Sequence, residues 1–349
     1  MSNVYPDTRS GSRIEEAQYA RTTHHGRNLT LHSVIYPIDF CTSGCTYCGL
    51  STLLSRDEHD VGGGMPPENF EWLLRELDSV GYEVHELVFG TVAEDQTRLA
   101  QRIARWVERA HAIVPAAYII VNCDTLLPSG YELLKAAGAD AIWTFMEVMS
   151  PELYAGKHLS GLKSDQLKRL EAPRMMRDAG LDVGNALLWG LVSDWRPELD
   201  QFLEYSDRVG GFDFVATPVH QEVTLKAGST VPADFEPTPA RVITPDDYLE
   251  IISELRLAFP NAHLVGNTRL DPTFIYSNAS KIFDMCNGYV WSGSRSHPMH
   301  SFAKTGHIKS FGTQMNFFNP GVSKDELQEL CGDHVDVHLD KSHLRPVNV

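Results

Sequence analysis

The stretch "YPIDFCTSGCTYCGL" puts Cys41, Cys45 and Cys48 on one short segment. Thiolates ligate zinc and iron–sulfur clusters, and both kinds of centre normally take four protein ligands. With three, either a fourth ligand lies far along the chain or the missing ligand is not protein. The remaining cysteines, Cys123, Cys286 and Cys331, are isolated from one another, and no second C-x2-C pair follows. A structural zinc site normally shows a second ligand pair. Cys123 ends an apolar run and reads as a small core residue. Three thiolates on one loop also suit three irons of a [4Fe–4S] cube, with the fourth iron open to a small chelating molecule. The alternatives are three unrelated buried cysteines, or a three-cysteine zinc site completed by a remote histidine.

Bulk properties narrow the setting. The chain has 349 residues and a formal charge of -16, from 30 basic and 46 acidic side chains. A diffuse negative charge argues against a broad nucleic-acid or membrane footprint. The first residues, "MSNVYPDTRSGSR", have no apolar core of a signal peptide, and no apolar run is long enough to span a bilayer. Six unevenly spaced cysteines do not form a secreted disulfide framework. The expectation is a cytoplasmic protein with no membrane and no nucleic-acid partner.

A reactive loop needs rigid elements beneath it. Apolar runs of strand length recur at 31–38, 84–90, 117–123, 140–148, 183–191, 211–219, 261–268 and 285–293. Amphipathic segments of helix length lie between them, among them "PENFEWLLRELDSVG" and "TPDDYLEIISELRLAFP". Ser129 and Thr244 stand where N-caps are wanted, and Gly138, Gly180 and Gly210 where helices end. Strands buried on both faces and separated by helices imply parallel pairing. Eight such units in this length predict a (β/α)8 barrel, with a doubly wound open sheet as the rival. The predicted division is an N-terminal arm over 1–30 with a short helix near "IEEAQYA", the barrel over 31–295, and an irregular C-terminal extension over 296–349. The Pro/Gly-marked link over 224–243 reads as a loop over the barrel mouth. The cysteines then fall in the first loop of the barrel's active face.

The spacing C-x3-C-x2-C, with Tyr47 before the last cysteine, resembles the radical S-adenosylmethionine (SAM) superfamily. That resemblance covers roughly residues 30 to 295. It implies that Cys41, Cys45 and Cys48 hold one [4Fe–4S] cluster whose open iron chelates the amine and carboxylate of SAM. Reduction would then cleave the sulfonium and release a 5′-deoxyadenosyl radical. Gly90 and Thr91, in "LVFGTVAED", match the segment that meets the methionine amine.

Residues 145–199 resemble the branch containing biotin synthase and the aromatic amino acid lyases. The ordered match runs through Glu147, Tyr154, His158, Gly161, Lys163, Asp165, Arg169, Arg174, Gly180, Gly184, Gly190 and Asp194. By that resemblance Glu147 contacts SAM, Arg169 pairs with its carboxylate, and Tyr47 lies near adenine. The branch's lyases carry a proline and two arginines after strand six. Here Pro218 is present, the arginines are absent, and His220 and Gln221 stand in their place. Arg269, in "GNTRLDP", and Arg295, in "WSGSRSHP", are the other candidate substrate contacts. Cys286 and Cys331 are too isolated to imply a second cluster.

The resemblance therefore implies a radical SAM enzyme. Its substrate is expected to be a small amino-acid-like molecule, and its outcome carbon–carbon cleavage or rearrangement. Flavodoxin or a ferredoxin is the expected electron donor. Two alternatives stand beside this: a methylornithine-synthase-like mutase of the same branch, and a noncatalytic iron–sulfur scaffold or assembly protein.

Overall fold

A computed structural model of the chain describes residues 9–38, 41–51, 65–92, 95–220, 238–239, 243–266, 272–290 and 324–346. Strands β1 (Asn28–Ile38), β2 (Val84–Phe89), β3 (Tyr118–Asn122), β4 (Ala141–Trp143), β5 (Asp182–Ala186), β6 (Phe214–Ala216), β7 (His263–Gly266) and β8 (Gly288–Val290) pair in chain order, all parallel. β8 returns to β1 at Thr30↔Gly288 and β1 also pairs β2 at Ser33↔His85, so the sheet closes. The closed barrel excludes the doubly wound alternative. Both faces of each strand are covered, which is why Ile119, Ile120 and Val121 are all buried in succession.

The connecting helices are α2 (Pro67–Ser79), α3 (Gln96–Ile113), α4 (Pro128–Ala137), α5 (Pro151–Lys157), α6 (Gln166–Asp178), α7 (Arg196–Val209), α8 (Pro245–Ala258) and α9 (Pro272–Phe283). On α3 the buried residues Leu99, Ala100, Ile103, Ala104, Val107 and Ala110 fall on one face at three-and-four spacing. Thr244 caps α8 in a reciprocal box with Asp247. Gly138 and Gly210 end α4 and α7 in the left-handed conformation. The expected cap at Ser129 is not realised. α4 starts two residues earlier, at Pro128, whose fixed φ suits the first helical position, and Leu127 stands at the cap.

The barrel interior holds Trp143, Phe214, Val84, Ile120, Ala141 and Ala186. Gly184 on β5 makes room for the Trp143 indole, since a Cβ there would lie 2.0 Å from its Cδ1. His32 and His263 stack with ring centroids 5.0 Å apart and Nε2 atoms 3.0 Å apart. Burial keeps both rings neutral and pushes His32 down to about 3.

Two terminal segments complete the body. The helix expected near residues 14–20 is longer, α1 (Arg9–His25), and Arg13 forks onto Glu254 of α8 at 2.9 and 2.7 Å. Helix α10 (Lys324–Cys331) leads to β9 (Asp336–His338), which pairs parallel with the start of β1 at Asn28↔Asp336 and Thr30↔His338. The chain then crosses beneath the N-terminal ends of the strands. Leu339 O accepts from Glu83 N at 2.8 Å, Lys341 Nζ donates to Ala116 O, and Arg345 pairs with Asp182 and Asp213. Leu344, 5% exposed, packs into the interior cluster with Val84 and Phe214. This closing segment seals the barrel at the end opposite the cysteine loop. Among the described residues, no helix is long and apolar enough to cross a membrane.

Candidate active site

β1 ends at Ile38, and the cysteine loop follows over the C-terminal mouth of the barrel. Loops there are carried by strand ends that the barrel holds rigid. Neighbouring backbone fastens the loop. Gly44 N donates to Ser160 O at 3.1 Å, Leu159 N to Gly44 O at 2.9 Å, and Thr46 N to Lys157 O at 3.0 Å. Cys45 forms an antiparallel bridge with His158. Gly161 closes this clamp at φ 84° and ψ -175°, a region open essentially to glycine alone. A Cβ there would lie 2.9 Å from Ser43 Cα. Gly161→Ala should therefore displace the cysteine loop, at a cost of about 1–3 kcal/mol in backbone strain alone. The expected result is a reduced iron content per purified chain with a native circular dichroism spectrum; full iron content would show that the clamp does not set the loop.

From the first cysteine a chain of polar contacts runs inward. Cys41 Sγ accepts from Thr91 N at 3.2 Å and from Ser43 N at 3.4 Å. Thr91 Oγ1 donates to Asp124 Oδ2 at 2.9 Å. Asp124 Oδ1 accepts from Arg169 Nη2 at 2.5 Å, and Arg169 Nη1 donates to Phe145 O at 2.9 Å. Both members of the Asp124–Arg169 pair have side chains only 2% exposed. Arg169 is thus not an open fork: its Nη groups are committed within the protein. Its Nε remains buried with no hydrogen-bond partner. Although burial opposes the charge, Asp124 outweighs it and holds Arg169 above its ordinary value.

Glu147 lies beyond the end of β4, not within a strand as its apolar neighbours led us to expect. It is the one non-glycine residue with positive φ among those described, at 67°. Leu188 N donates to its carbonyl at 3.0 Å, and its own N–H donates to Ala186 O, so the flanking strand holds it there. Its carboxylate accepts from Lys163 Nζ at 2.7 Å. Burial lowers the Lys163 value, but Glu147 outweighs it and keeps the amine charged. Strain of this kind persists where the surroundings over-determine it, often at a ligand site. A small recess beside Glu147 is lined by Leu187, Trp189, Gly190, Trp195 and Glu198.

Tyr47 is buried under the same loop. His158 Nδ1 faces Tyr154 O at 2.9 Å, so Nδ1 carries the proton and Nε2 accepts from Tyr47 OH at 2.8 Å. Burial holds His158 neutral, pushed down to about 2. His220 approaches the Tyr47 ring edge-on at 6.2 Å, and its Nε2 lies 3.1 Å from Thr238 O. Gly90 closes β2 onto β1, its N–H donating to Ile38 O at 3.1 Å. The structure thus gathers Cys41, Cys45, Cys48, Tyr47, Gly90, Thr91, Glu147, Arg169 and His220 at one mouth. Gln221, Arg269 and Arg295, and most of the 224–243 link, lie outside the described residues.

Asp124 is the residue that sequence reading passed over. Its signal was available: a carboxylate directly after an apolar strand needs a buried partner. A second miss is the pair His338 and His343: sequence reading finds no H-x3–5-H partner pair downstream of the cysteines, yet these two make an H-x4-H spacing with zinc-ligand character. It cannot complete the cysteine site. His338 pairs at the start of β1 and the cysteines follow its end, roughly 25 Å away at about 3.3 Å per residue.

The cysteine thiols are not gathered tightly enough for one ion; among the described residues only His338, Asp340 and His343 are. All three cysteines are free, and burial pushes the Cys45 thiol up to about 12 and raises Cys48. Cluster assembly must therefore displace protons from them. The unpartnered Arg169 Nε–H fits a ligand carboxylate, the natural partner of a guanidinium. By chemistry, three free thiols on one loop are donors of the kind a cluster takes, and the orphaned N–H is one that a carboxylate such as that of SAM takes.

The chain matches no protein-family model. It is 25% identical over 274 residues to the 2-iminoacetate synthase of Salmonella typhimurium strain LT2, covering 74% of this chain and 66% of that protein. It is 28% identical over 193 residues to the 2-iminoacetate synthase of Escherichia coli K12, covering 52% and 46%. The matches span under two thirds of the length of these relatives. Among solved structures, the FeFe-hydrogenase maturase HydG from Carboxydothermus hydrogenoformans superposes with a TM-score of 0.71 at 19% identity, covering 94% of this chain and 76% of that one. Methylornithine synthase superposes at 0.67 and 17% identity, covering 82% and 79%.

With its C-x3-C-x2-C loop after the first strand, the closed parallel barrel is similar in fold to these solved structures and in sequence to the two synthases, a likeness to the radical SAM enzymes. The likeness to the two synthases is to the biotin synthase and lyase branch of those enzymes. That likeness, and not a gathered set of cysteine ligands, is what points to a [4Fe–4S] cluster and SAM.

Proposed function

We propose that this chain is a radical SAM enzyme acting on a small amino-acid-like substrate, with carbon–carbon cleavage or rearrangement as the outcome. The observation that carries the reading is the buried relay from Cys41 through Thr91 and Asp124 to Arg169, which ties the cysteine loop to an unsatisfied guanidinium N–H. When bound, the cluster and SAM supply a 5′-deoxyadenosyl radical for hydrogen abstraction.

The chain's own residues bind, orient and exclude water. Cys41, Cys45 and Cys48 would hold the cluster. Arg169 offers Nε to the SAM carboxylate while Asp124 fixes the plane of its guanidinium. Thr91 and Gly90 present the end of β2 to the methionine moiety. Glu147, held by Lys163, faces the polar part of SAM, and Tyr47 packs near adenine with His158 fixing its hydroxyl. His220, with Gln221, Arg269 and Arg295, reaches toward the substrate. The sealed opposite mouth keeps solvent from the barrel interior. A cytoplasmic setting and a flavodoxin or ferredoxin donor complete the proposal.

The test is reductive cleavage of SAM by anaerobically reconstituted protein, read as 5′-deoxyadenosine by chromatography. Product accumulation with dithionite and a panel of amino acids is the expected result. A fully loaded cluster with no 5′-deoxyadenosine under any condition would leave the scaffold reading standing. Product far below one per turnover would favour the mutase, which regenerates SAM.

A further inference from the structure

The closing segment carries a second group of ligating side chains, far from the cysteine loop. The donor atoms of His338, Asp340 and His343 all lie within 4.8 Å of one another. We propose that these three residues bind one divalent transition ion of the zinc class, and that the ion fastens the closing segment across the N-terminal mouth of the barrel.

The orientation of His338 supports this. Asn28 Nδ2 donates to His25 O at 3.0 Å, which leaves Asn28 Oδ1 as an acceptor. His338 Nε2 lies 3.0 Å from that oxygen and donates to it. The neutral ring therefore carries its lone pair on Nδ1, the nitrogen that faces Asp340 Oδ2 at 3.7 Å. A hydrogen bond that fixes the tautomer and aims the free nitrogen is the usual outer support of a metal-bound histidine. Asp340 is likewise prepared: its Oδ1 accepts from Ser342 N at 3.0 Å and from Ser342 Oγ, leaving Oδ2 for another partner.

The 3.7 Å separation is too long for a hydrogen bond. It is close to the spacing of two donors on one tetrahedral ion, roughly 3.3 Å for bonds of about 2.0–2.1 Å. The His343 ring completes the group, its centroid 4.1 Å from that of His338. Two imidazoles and a carboxylate suit zinc and its first-row neighbours, with the remaining position left to water.

The position gives the ion its consequence. His338 ends β9, which is paired to β1, and His343 immediately precedes Leu344, the side chain that enters the barrel interior. An ion joining the two fixes Leu344 and Arg345 relative to the first strand.

The experiment uses the full chain with its cluster assembled, given one equivalent of zinc and desalted. One zinc retained per chain, with only nitrogen and oxygen neighbours at the zinc K-edge and a raised thermal midpoint, is the expected result. His343→Gln and Asp340→Asn, both at partly exposed positions, should each weaken retention at least tenfold and remove the thermal shift. A chain with Cys41, Cys45 and Cys48 all changed to Ala should still retain zinc. Sulfur scattering near about 2.3 Å would place the ion on cysteines and overturn the proposal. So would failure to retain zinc, or equal retention in His343→Gln.

Discussion

Cys45→Ala is expected to lose both the complete cluster and all SAM cleavage while the barrel stays folded. The residue is 4% exposed and its backbone is bridged to His158, so the loop keeps its course when the thiol is removed. Without metal the thiol is neutral, because burial pushes it up to about 12; truncation therefore strands no charge. What disappears is one of the three proposed iron ligands. Iron and sulfide analysis, the electron paramagnetic resonance signal of the reduced cluster, and 5′-deoxyadenosine formation should fall together to background. Cys123→Ala is the matched control: it removes another buried thiol, but from the packed core, and should leave iron content unchanged. A Cys45→Ala chain with a full cluster and normal cleavage would overturn the ligand assignment.

The second large effect concerns Asp124 and Arg169. Each member of this buried pair is the other's only charged partner within hydrogen-bonding distance among the described residues. Removing one strands the other's charge, at a cost of about 3–5 kcal/mol. Asp124→Asn and Arg169→Met should each lower the thermal midpoint markedly. The double variant should recover much of that loss, because no unpaired charge remains in the interior. Turnover should not recover with stability if Arg169 Nε also receives the SAM carboxylate. A double variant that regains both would reduce the pair to a structural role. The apparent affinity for SAM, measured on the folded double variant, separates the two results.

The fold was legible because its signals are periodic and local. Buried runs alternate with one-sided helices, and a barrel is the arrangement that covers both faces of such strands. The cysteine loop stood out as a candidate for a similar reason, since its three thiols are near neighbours in sequence. Asp124 and Arg169 show the limit. They are 45 residues apart, and nothing in the local pattern says that a strand-end carboxylate and a helix arginine share one hydrogen bond. Glu147 shows another: apolar neighbours favour a strand on both sides of it, while the left-handed backbone that aims its carboxylate depends on Ala186 and Leu188 from the next strand. The H-x4-H pair was visible as letters, but its meaning depends on β9 lying against β1.

That last pairing bears on how the molecule is made. β1 is synthesised early, yet its partners β8 and β9 arrive late; Arg27, next to β1, meets Asp336 across 309 positions of chain. Until then only β2 is available to it, and one long edge of β1 offers unpaired backbone groups. Such an edge is a template for pairing with other chains, and contacts this distant in sequence form slowly. A nascent chain of this protein therefore spends most of its synthesis with an open, adhesive strand, and high yields of folded protein should depend on slow expression or on chaperones that shield it.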